Sequence, residues 1–309
     1  MIKNAVIGVD LGGTAIKYGL INEDKEILWS ASKPSKASVS ASEVVDNILD
    51  SIQEAVKKSK ELELGVVSIG LGTPGLVEKS NIVVGGANNI KGWSNIPLGK
   101  ILSIRTGIKT FIANDADMMG LGEFTLAPNY QHDSMLFITL GTGIGGAIFI
   151  NGELFNGHYG LGGELGLLPI VVDGQRSYWE DIASTSAMVR EYEKVALKAS
   201  DNINGEYIVD KYFKKDPIAI EIIDRITQYI GVGLAGYVNI FNPKRIIIGG
   251  GVSQAGSFFI DKIKRYTKEN ALKESYNGVD IQVAKLGNKA GFFGAGLFAF
   301  KKIQTKDEK

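Results

Sequence analysis

A chain of 309 residues is long enough for about two domains, and its 34 basic and 34 acidic side chains cancel, leaving no electrostatic footprint for nucleic acid. Cysteine is absent and only two histidines occur, which excludes disulfides, thiolate metal sites and thiol nucleophiles. Chemistry must rest on carboxylates, amides, Lys, Arg and backbone dipoles.

The N-terminus "MIKNAVIGVD" lacks the regions of a signal peptide, because Asp10 interrupts the apolar run, so a cytoplasmic chain is expected. "AVIGVD", the turn "LGGT", "IKYGLI", a turn at "NEDK" and "EILWS" predict a β-meander and not a βαβ unit. From Ser40 to about Leu62, Val44, Val45, Ile48, Leu49, Ile52, Ala55 and Val56 share one helical face, and Ser40 and Glu43 are spaced as a capping box. A buried strand "GVVSIGLG", the segment "NIVVGGANNIKGW", a strand "KTFIAND" and a short helix through "ADMMGLGEF" follow. The pattern then restarts with "SMLFITL", the glycine turn "GTGIGG", "AIFI" and a turn at "NGE", which predicts two duplicated lobes.

The uncharged run Ser134 to Gly152 approaches membrane-spanning length, yet its glycines and threonines point to two strands around a turn. Asp216 and Pro217 read as N-cap and first residue of a helix that carries Ile222, Ile226, Ile230, Leu234 and Val238 and stops at "NP". Strand "RIIIGGG", a helix near 256–272, strand "VDIQVAKLG" and a helix from about Lys289 complete the chain, with "KKIQTKDEK" expected to be solvated or frayed.

Glycine is in excess, 39 residues, and its clustering marks places where backbone must approach something closely. Gly141 to Gly146 match the dinucleotide pattern G-x-G-x-x-G, but a strand and a turn follow where a helix is required, so a dehydrogenase is rejected. Two glycine turns remain, Gly12-Gly13 and Gly141 to Gly146, carrying Thr14 and Thr142. They either present backbone N–H groups to phosphate oxygens or serve only as tight turns. Asp10, ending a buried strand beside the first turn, either holds magnesium through water or caps the turn. A third cluster, "IIIGGGVSQAG", admits a flat base against bare backbone at Gly249, Gly250 and Gly251. Asn114 and Asp115 open a helix, where an N-cap is the plain alternative to a site.

These features in this order resemble the sugar kinase, actin and Hsp70 superfamily. More narrowly, "DLGGTAIKYGL", "TPGLVEKSN", "ANNIKGW", "ANDAD", "LGTGIGG", "GLGGELG" and "WEDIAST" resemble the ROK family (repressors, open reading frames, kinases) over about residues 5–300. The resemblance implies an α/β, two-lobed actin-like ATPase (ribonuclease H-like) fold with duplicated mixed-sheet domains and an interdomain cleft. The smaller lobe is expected at 1–113 plus 295–309 and the larger at 114–294. It implies a cytoplasmic, homodimeric, ATP- and Mg2+-dependent hexose kinase, with glucose the default substrate and no nucleic-acid or membrane partner.

In this family pattern Asp115 is the base for the sugar hydroxyl, while Asn89, Asn114, Glu164 and Glu180 bind the sugar. Asp10, Gly12, Gly13, Thr14, Lys17, Gly141, Thr142, Gly143, Gly249, Gly250 and Gly251 serve ATP and its metal, with Lys17 alternatively a solvated strand residue. Another hexose, an N-acetylhexosamine, fructose or a β-glucoside is the alternative substrate, and a non-catalytic sugar-binding protein the alternative class. The repressors of the family carry a DNA-binding domain ahead of the first motif, for which no room is expected here.

One segment departs from the pattern. Most relatives place a histidine three residues after the first glutamate and a cysteine cluster beyond it, together binding zinc; here the position is Leu167 and cysteine is absent. No such zinc is expected, and Leu167, Leu168 and Trp179 are expected to replace it with a small apolar cluster. His132 and His158 read as surface or structural residues.

Overall fold

Residues Ala5 to Leu11 are buried without a break, as a strand covered on both faces must be, and they form most of β1 (Lys3–Leu11). The computed structural model describes residues 3–37, 39–87, 90–127, 130–197, 202–251 and 255–307. They form two compact units, Met1–Pro128 with Leu154–Gly163 and Leu286–Lys309, and Asn129–Glu153 with Glu164–Lys285.

In unit 1, β1 pairs antiparallel with β2 (Ala15–Asn22), which pairs with β3 (Ile27–Pro34). Strict alternation of burial along β3 marks the edge strand. On its other side β1 runs parallel to β4 (Leu64–Thr73), and β4 to β7 (Thr110–Asn114), giving the order β3-β2-β1-β4-β7. Helix α1 (Ala41–Glu61) connects β3 to β4, with the Ser40 hydroxyl accepting the Glu43 N–H. Its apolar face packs with Ile7, Val9 and Leu11. A small hairpin of β5 (Leu76–Glu78) and β6 (Ile82–Gly85) and helix α2 (Leu98–Thr106) lead to β7, and α3 (Asp115–Phe124) follows it directly.

The opposite face of β1 carries Val6, Gly8 and Asp10, one every second residue. The last helix, α10 (Ala290–Asp307), lies against that face on bare backbone. Gly19, Gly8 and Gly70 are register partners across β2, β1 and β4, a row of three glycines. A methyl group at Gly8 would lie 1.9 Å from the Phe292 carbonyl oxygen, and one at Gly70 1.8 Å from that of Ala295. At Gly19 it would strike the Phe292 ring. Helices α3 and α10 cross just as closely, since a methyl at Gly294 would sit 1.8 Å from the Met118 carbonyl oxygen.

Unit 2 repeats the topology. β8 (Met135–Leu140) pairs antiparallel with β9 (Ile144–Ile150), and the order β10-β9-β8-β13-β14 mirrors that of unit 1, with β10 (Glu153–Leu154) outermost. A hairpin of β11 (Pro169–Val172) and β12 (Gln175–Tyr178) precedes α4 (Trp179–Ala183), α5 (Thr185–Ala196) and α6 (Gly205–Phe213). Helix α7 (Pro217–Phe241) starts as read, with the Asp216 side chain accepting the Ala219 N–H and Pro217 in its first turn. β13 (Arg245–Gly249), α8 (Ser257–Asn270), α9 (Lys273–Tyr276) and β14 (Asp280–Val283) complete the unit. Ile222, Ile226, Ile230, Leu234 and Val238 of α7 are all buried in its core.

The limits of the units differ from the expected divisions at 113/114 and 294/295. Helix α3 belongs with unit 1 because Gly122 meets the Ala290 carbonyl of α10. Residues 154–163 return to unit 1 as well, where Leu154 packs with Met118 and Ala295 and the Tyr159 carbonyl accepts the Lys79 N–H. The C-terminal stretch read as solvated or frayed is helical to Asp307. The uncharged run from Ser134 is two strands around a turn, and among the described residues no helix is long and apolar enough to cross a membrane.

Glycines that seat a helix and glycines that do not are separable by mutation. Gly70→Ala is expected to destabilise the chain by at least about 2 kcal/mol, because neither backbone can yield. Gly236→Ala, on α7 with nothing within 4 Å of the added methyl, is expected to be neutral or stabilising by up to about 1 kcal/mol. Denaturant unfolding of both variants checks the contrast.

Candidate active site

The carboxyl ends of adjacent parallel strands in unit 1 gather the first set of site residues, as open α/β sheets do. Asp10 pairs in register with Gly72 of β4, and Thr73 with Asn114 of β7, so Asp10, Thr73 and Asn114-Asp115 end three neighbouring strands. Asp10 is 4% exposed, and its Oδ1 is buried with no hydrogen-bond partner among the described residues. Gly291, in the first turn of α10, stands directly on this carboxylate; a methyl there would lie 2.4 Å from its carbon. Burial first, and then the charge of Asp115, raise the Asp10 carboxyl to about 7 against the opposing charge of Lys17.

Lys17 lies opposite Asp10 in the β1–β2 register, and its ammonium donates to Asn288 Oδ1 at 2.9 Å. It is therefore held and not merely solvated. Between them the turn Gly12 to Thr14 is closed by Gly12 N–H on the Ala15 carbonyl at 2.9 Å. Ser35 braces it from outside, donating its hydroxyl to the Gly13 carbonyl and its N–H to that of Thr14. Gly13 and Thr14 are exposed. Ser35 and Asn288 escaped the sequence reading because neither lies in a glycine motif; only folding brings them to the turn.

Asn114 caps α3: its Oδ1 accepts the N–H groups of Ala116 and Asp117, and its amide donates to the Gly75 carbonyl at 3.0 Å. Both ends of that side chain are occupied in holding the strand-to-helix junction. Asp115 is partly open by area, yet protein closely surrounds its carboxyl, and burial raises it to about 6 against the opposing Ala116 N–H, which donates to Oδ1 at 2.9 Å. Gly72 lets α3 start this close, since a methyl there would touch Met118 and the Asp115 Cα. Trp93, buried, donates Nε1–H to Thr73 Oγ1 at 3.0 Å and ties the segment after β6 to the end of β4. Asn89 lies outside the described residues.

Unit 2 carries the second set. The turn after β8 is tighter than "GTGIGG" implied, because β9 begins at Ile144. Gly141 N–H donates to the Gly143 carbonyl at 3.0 Å, and the Gly141 carbonyl accepts the Thr185 N–H at 2.9 Å. Gly141, Thr142 and Gly251 line a pocket of about 800 Å³ whose apolar wall includes Val189, Val209 and Phe213. These α5 and α6 residues were not singled out from the sequence, since isolated apolar side chains on amphipathic helices carry no local signal. Of the third cluster Gly251 and Ala255 line the pocket, whereas Gly249 and Gly250 meet the protein itself. Gly250, at φ +89°, seats on the Leu140 carbonyl, 2.1 Å from where a methyl would be, and Gly249 faces the Phe137 ring.

The two glutamates bracket a compact piece of structure. Glu164 is exposed and precedes a single 3-10 turn, Leu165–Leu167, its carbonyl accepting the Leu167 N–H. The β11–β12 hairpin returns the chain so that Trp179 N–H meets the Leu168 carbonyl at 3.0 Å. The expected apolar cluster of Leu167, Leu168 and Trp179 does not form: Leu167 is 43% and Leu168 40% exposed. Trp179 instead turns into the core of unit 2, flat against Gly233, with Nε1–H on the Tyr229 carbonyl and its ring edge-on to Tyr237. Leu165 is the buried leucine of the segment. Backbone pairing in the hairpin and the burial of Leu165 and Trp179 in the core of unit 2 order this stretch, without a contribution from buried Leu167 or Leu168.

Glu180 Oε2 accepts the Ile144 N–H at 3.0 Å, and a methyl at Gly143 would lie 2.4 Å from the same oxygen. The second glutamate thus touches the second glycine turn directly.

Two units of identical strand order, each with a glycine turn after its first strand, define the class: a duplicated actin-like ATPase fold of the ribonuclease H type. Comparison narrows it. The ROK family model matches residues 6–302. The chain is 31% identical to a glucokinase of Halalkalibacterium halodurans, with 94% of this chain and 93% of that one covered, and 31% identical to a glucokinase of Thermotoga maritima, with 98% and 99% covered. A crystal structure of a ROK family glucokinase from Streptomyces griseus, in complex with glucose and AMPPNP, superposes with a TM-score of 0.82 at 30% identity, covering 96% of this chain and all of that one. The chain belongs to the ROK family.

Asp10 and Asp115 make a pH-dependent contribution to the stability of unit 1. Both have folded-state pKa values above the ordinary 3.8, so their protonated forms favour the fold fully below about pH 4, and that contribution is lost as pH rises through about 6 to 7. Asp10→Asn cannot ionise. In protein free of metal and nucleotide it is expected to raise the Tm at pH 8 and to leave it little changed at pH 4. Equal Tm differences at the two pH values would show that the buried charge is not what the variant removes.

Proposed function

We propose that this ROK-family sugar kinase transfers the γ-phosphoryl group of ATP to glucose, giving glucose 6-phosphate, with Asp115 as general base. One observation carries the assignment of the base: Asp115 stands at the end of β7 with Oδ1 occupied by the Ala116 N–H and a pKa held near 6 by burial. Such a carboxylate is ionised at neutral pH yet close enough to neutrality to take the hydroxyl proton as the oxygen attacks phosphorus. Asn114 holds the helix start and the Gly75 carbonyl beside Asp115, which leaves one amide N–H for a sugar hydroxyl. Phosphoryl transfer asks chiefly for alignment and neutralised charge, and the turns at Gly12–Thr14 and Gly141–Gly143, with Lys17, are the groups placed for that.

The residues present fit a hydrated divalent cation. Asp10 has a buried oxygen without a partner, and among the described residues no group of three His, Cys, Asp or Glu side chains could hold a metal, so the remaining ligands would be water and phosphate. Magnesium would be held by Asp10 through water and supplies positive charge to the phosphates when bound. The pocket between α5, α6 and Gly251 takes the adenosine in this reading, its apolar wall against the base. A homodimeric, cytoplasmic enzyme completes the proposal by resemblance to the family.

Another sugar is the second reading, and Leu167 favours it. An exposed leucine occupies the place where most relatives are expected to use a histidine that touches the sugar, so substrate contacts differ at this point. A coupled ADP-release assay with magnesium ATP across hexoses, N-acetylhexosamines, fructose and β-glucosides separates the two, the highest kcat/KM falling on glucose in the leading reading. Asp115→Ala is expected to lower kcat by a factor of about 10² to 10⁴ while sugar and AMPPNP still bind in calorimetry. Near-normal turnover in that variant would refute Asp115 as base.

A further inference from the structure

The assignment of Glu180 to the sugar leaves unexplained why its carboxylate lies on the donor-phosphate turn. Oε2 accepts the Ile144 N–H at 3.0 Å and rests on Gly143 so closely that no side chain is possible there without moving the glutamate. Oε1 is uncommitted among the described residues. At the other end of the same short segment the Thr185 N–H donates to the Gly141 carbonyl at 2.9 Å, so residues 180–185 hold the turn at both of its ends. The chain leaving Glu164 closes the remaining side: Gly166 packs on the Ile144 carbonyl, where a methyl would lie 2.1 Å from the oxygen, and Leu165 covers Gly146.

We infer that Glu180 is a positioning residue for the phosphoryl donor as well as a sugar ligand, with Oε2 fixing the turn at Gly143-Ile144 and Oε1 taking a sugar hydroxyl, so that sugar occupancy and donor positioning are linked through one carboxylate. This deepens the kinase reading and rests on it. A hydroxyl bound at Oε1 restricts rotation of the carboxylate, and a carboxylate that cannot rotate keeps the Ile144 N–H and the turn in one geometry. Linkage is reciprocal, so a turn already ordered by nucleotide presents Oε1 in the orientation the sugar needs. Gly143 belongs to this device through the space it leaves and not through conformational freedom; it does not carry a positive φ.

Two measurements test it. Without any sugar, hydrogen exchange of the peptide covering residues 141–146 is expected to accelerate in Glu180→Ala and to stay near wild type in Glu180→Gln, whose amide oxygen still accepts the Ile144 N–H. Unchanged exchange in Glu180→Ala overturns the latch. In steady-state kinetics with the best hexose of the substrate panel, Gly143→Ala is expected to raise the KM for sugar by at least about 10-fold together with that for ATP, since the methyl displaces Glu180. Adding Glu180→Ala to Gly143→Ala is expected to raise the sugar KM little further, because both changes remove the same contact. A Gly143→Ala enzyme whose ATP KM rises while its sugar KM stays within about 2-fold of wild type overturns the linkage alone. A panel in which no sugar is phosphorylated overturns the kinase reading and the linkage with it.

Discussion

The seating of α10 on bare sheet backbone is the constraint from which the rest of unit 1 follows. Helix and sheet normally meet through interleaved side chains at about 10 Å. Here the glycine row Gly19, Gly8 and Gly70 removes that layer, and carbonyls of the helix approach the strands to within the space of one methyl group. The helix axis is thereby located to a fraction of an ångström, and its first turn arrives at the end of β1. Gly291 then stands on the Asp10 carboxylate and Asn288 takes the Lys17 ammonium. Through Gly294 the same helix locates α3, whose first residue is Asp115.

That closeness has an electrostatic consequence. Two carboxyl groups, Asp10 and Asp115, are withdrawn from water near one another, with Lys17 opposing the shift at Asp10, and both resist ionisation. A fold under selection for stability alone would not retain this pair, since removing one charge relieves the other. The arrangement makes sense when the site receives cationic charge with its substrate, so that the acids ionise where the ligand requires it. Among the described residues unit 2 has no counterpart of this pair. Its first strand ends at Leu140, and the carboxylate nearest its turn, Glu180, reaches in from α4. The duplicated topology thus supplies a glycine turn in each unit, with Asp10 and Asp115 at strand ends in unit 1 and Glu180 against the turn of unit 2.

Much of this was legible in the chain because it is local. Period-2 runs around glycine turns predicted both meanders, the capping spacing of Ser40 and Glu43 placed α1, and Asp216-Pro217 opened α7, since each depends on neighbours within a few residues. The seven motifs likewise named the family because they are short and ordered. The segment between Glu164 and Glu180 was misread at its base for the opposite reason. Leu167, Leu168 and Trp179 are equivalent as apolar letters, yet Trp179 is drawn 50 residues along the chain to Tyr229 while the two leucines stay on the surface. The limits of the units were displaced by α3 and the turn-rich stretch 154–163, which are held to unit 1 by contacts distant in the chain, α3 and Leu154 by α10 and Tyr159 by Lys79.

The glycines show the division most clearly. Their number and clustering in the sequence establish that backbone comes close to something. What each glycine meets was decided only by folding: Gly8, Gly70 and Gly294 meet helix carbonyls, Gly143 and Gly291 meet carboxylates, and Gly251 lines the pocket. A glycine encodes an absence, and an absence acquires its partner only when distant segments are packed against it.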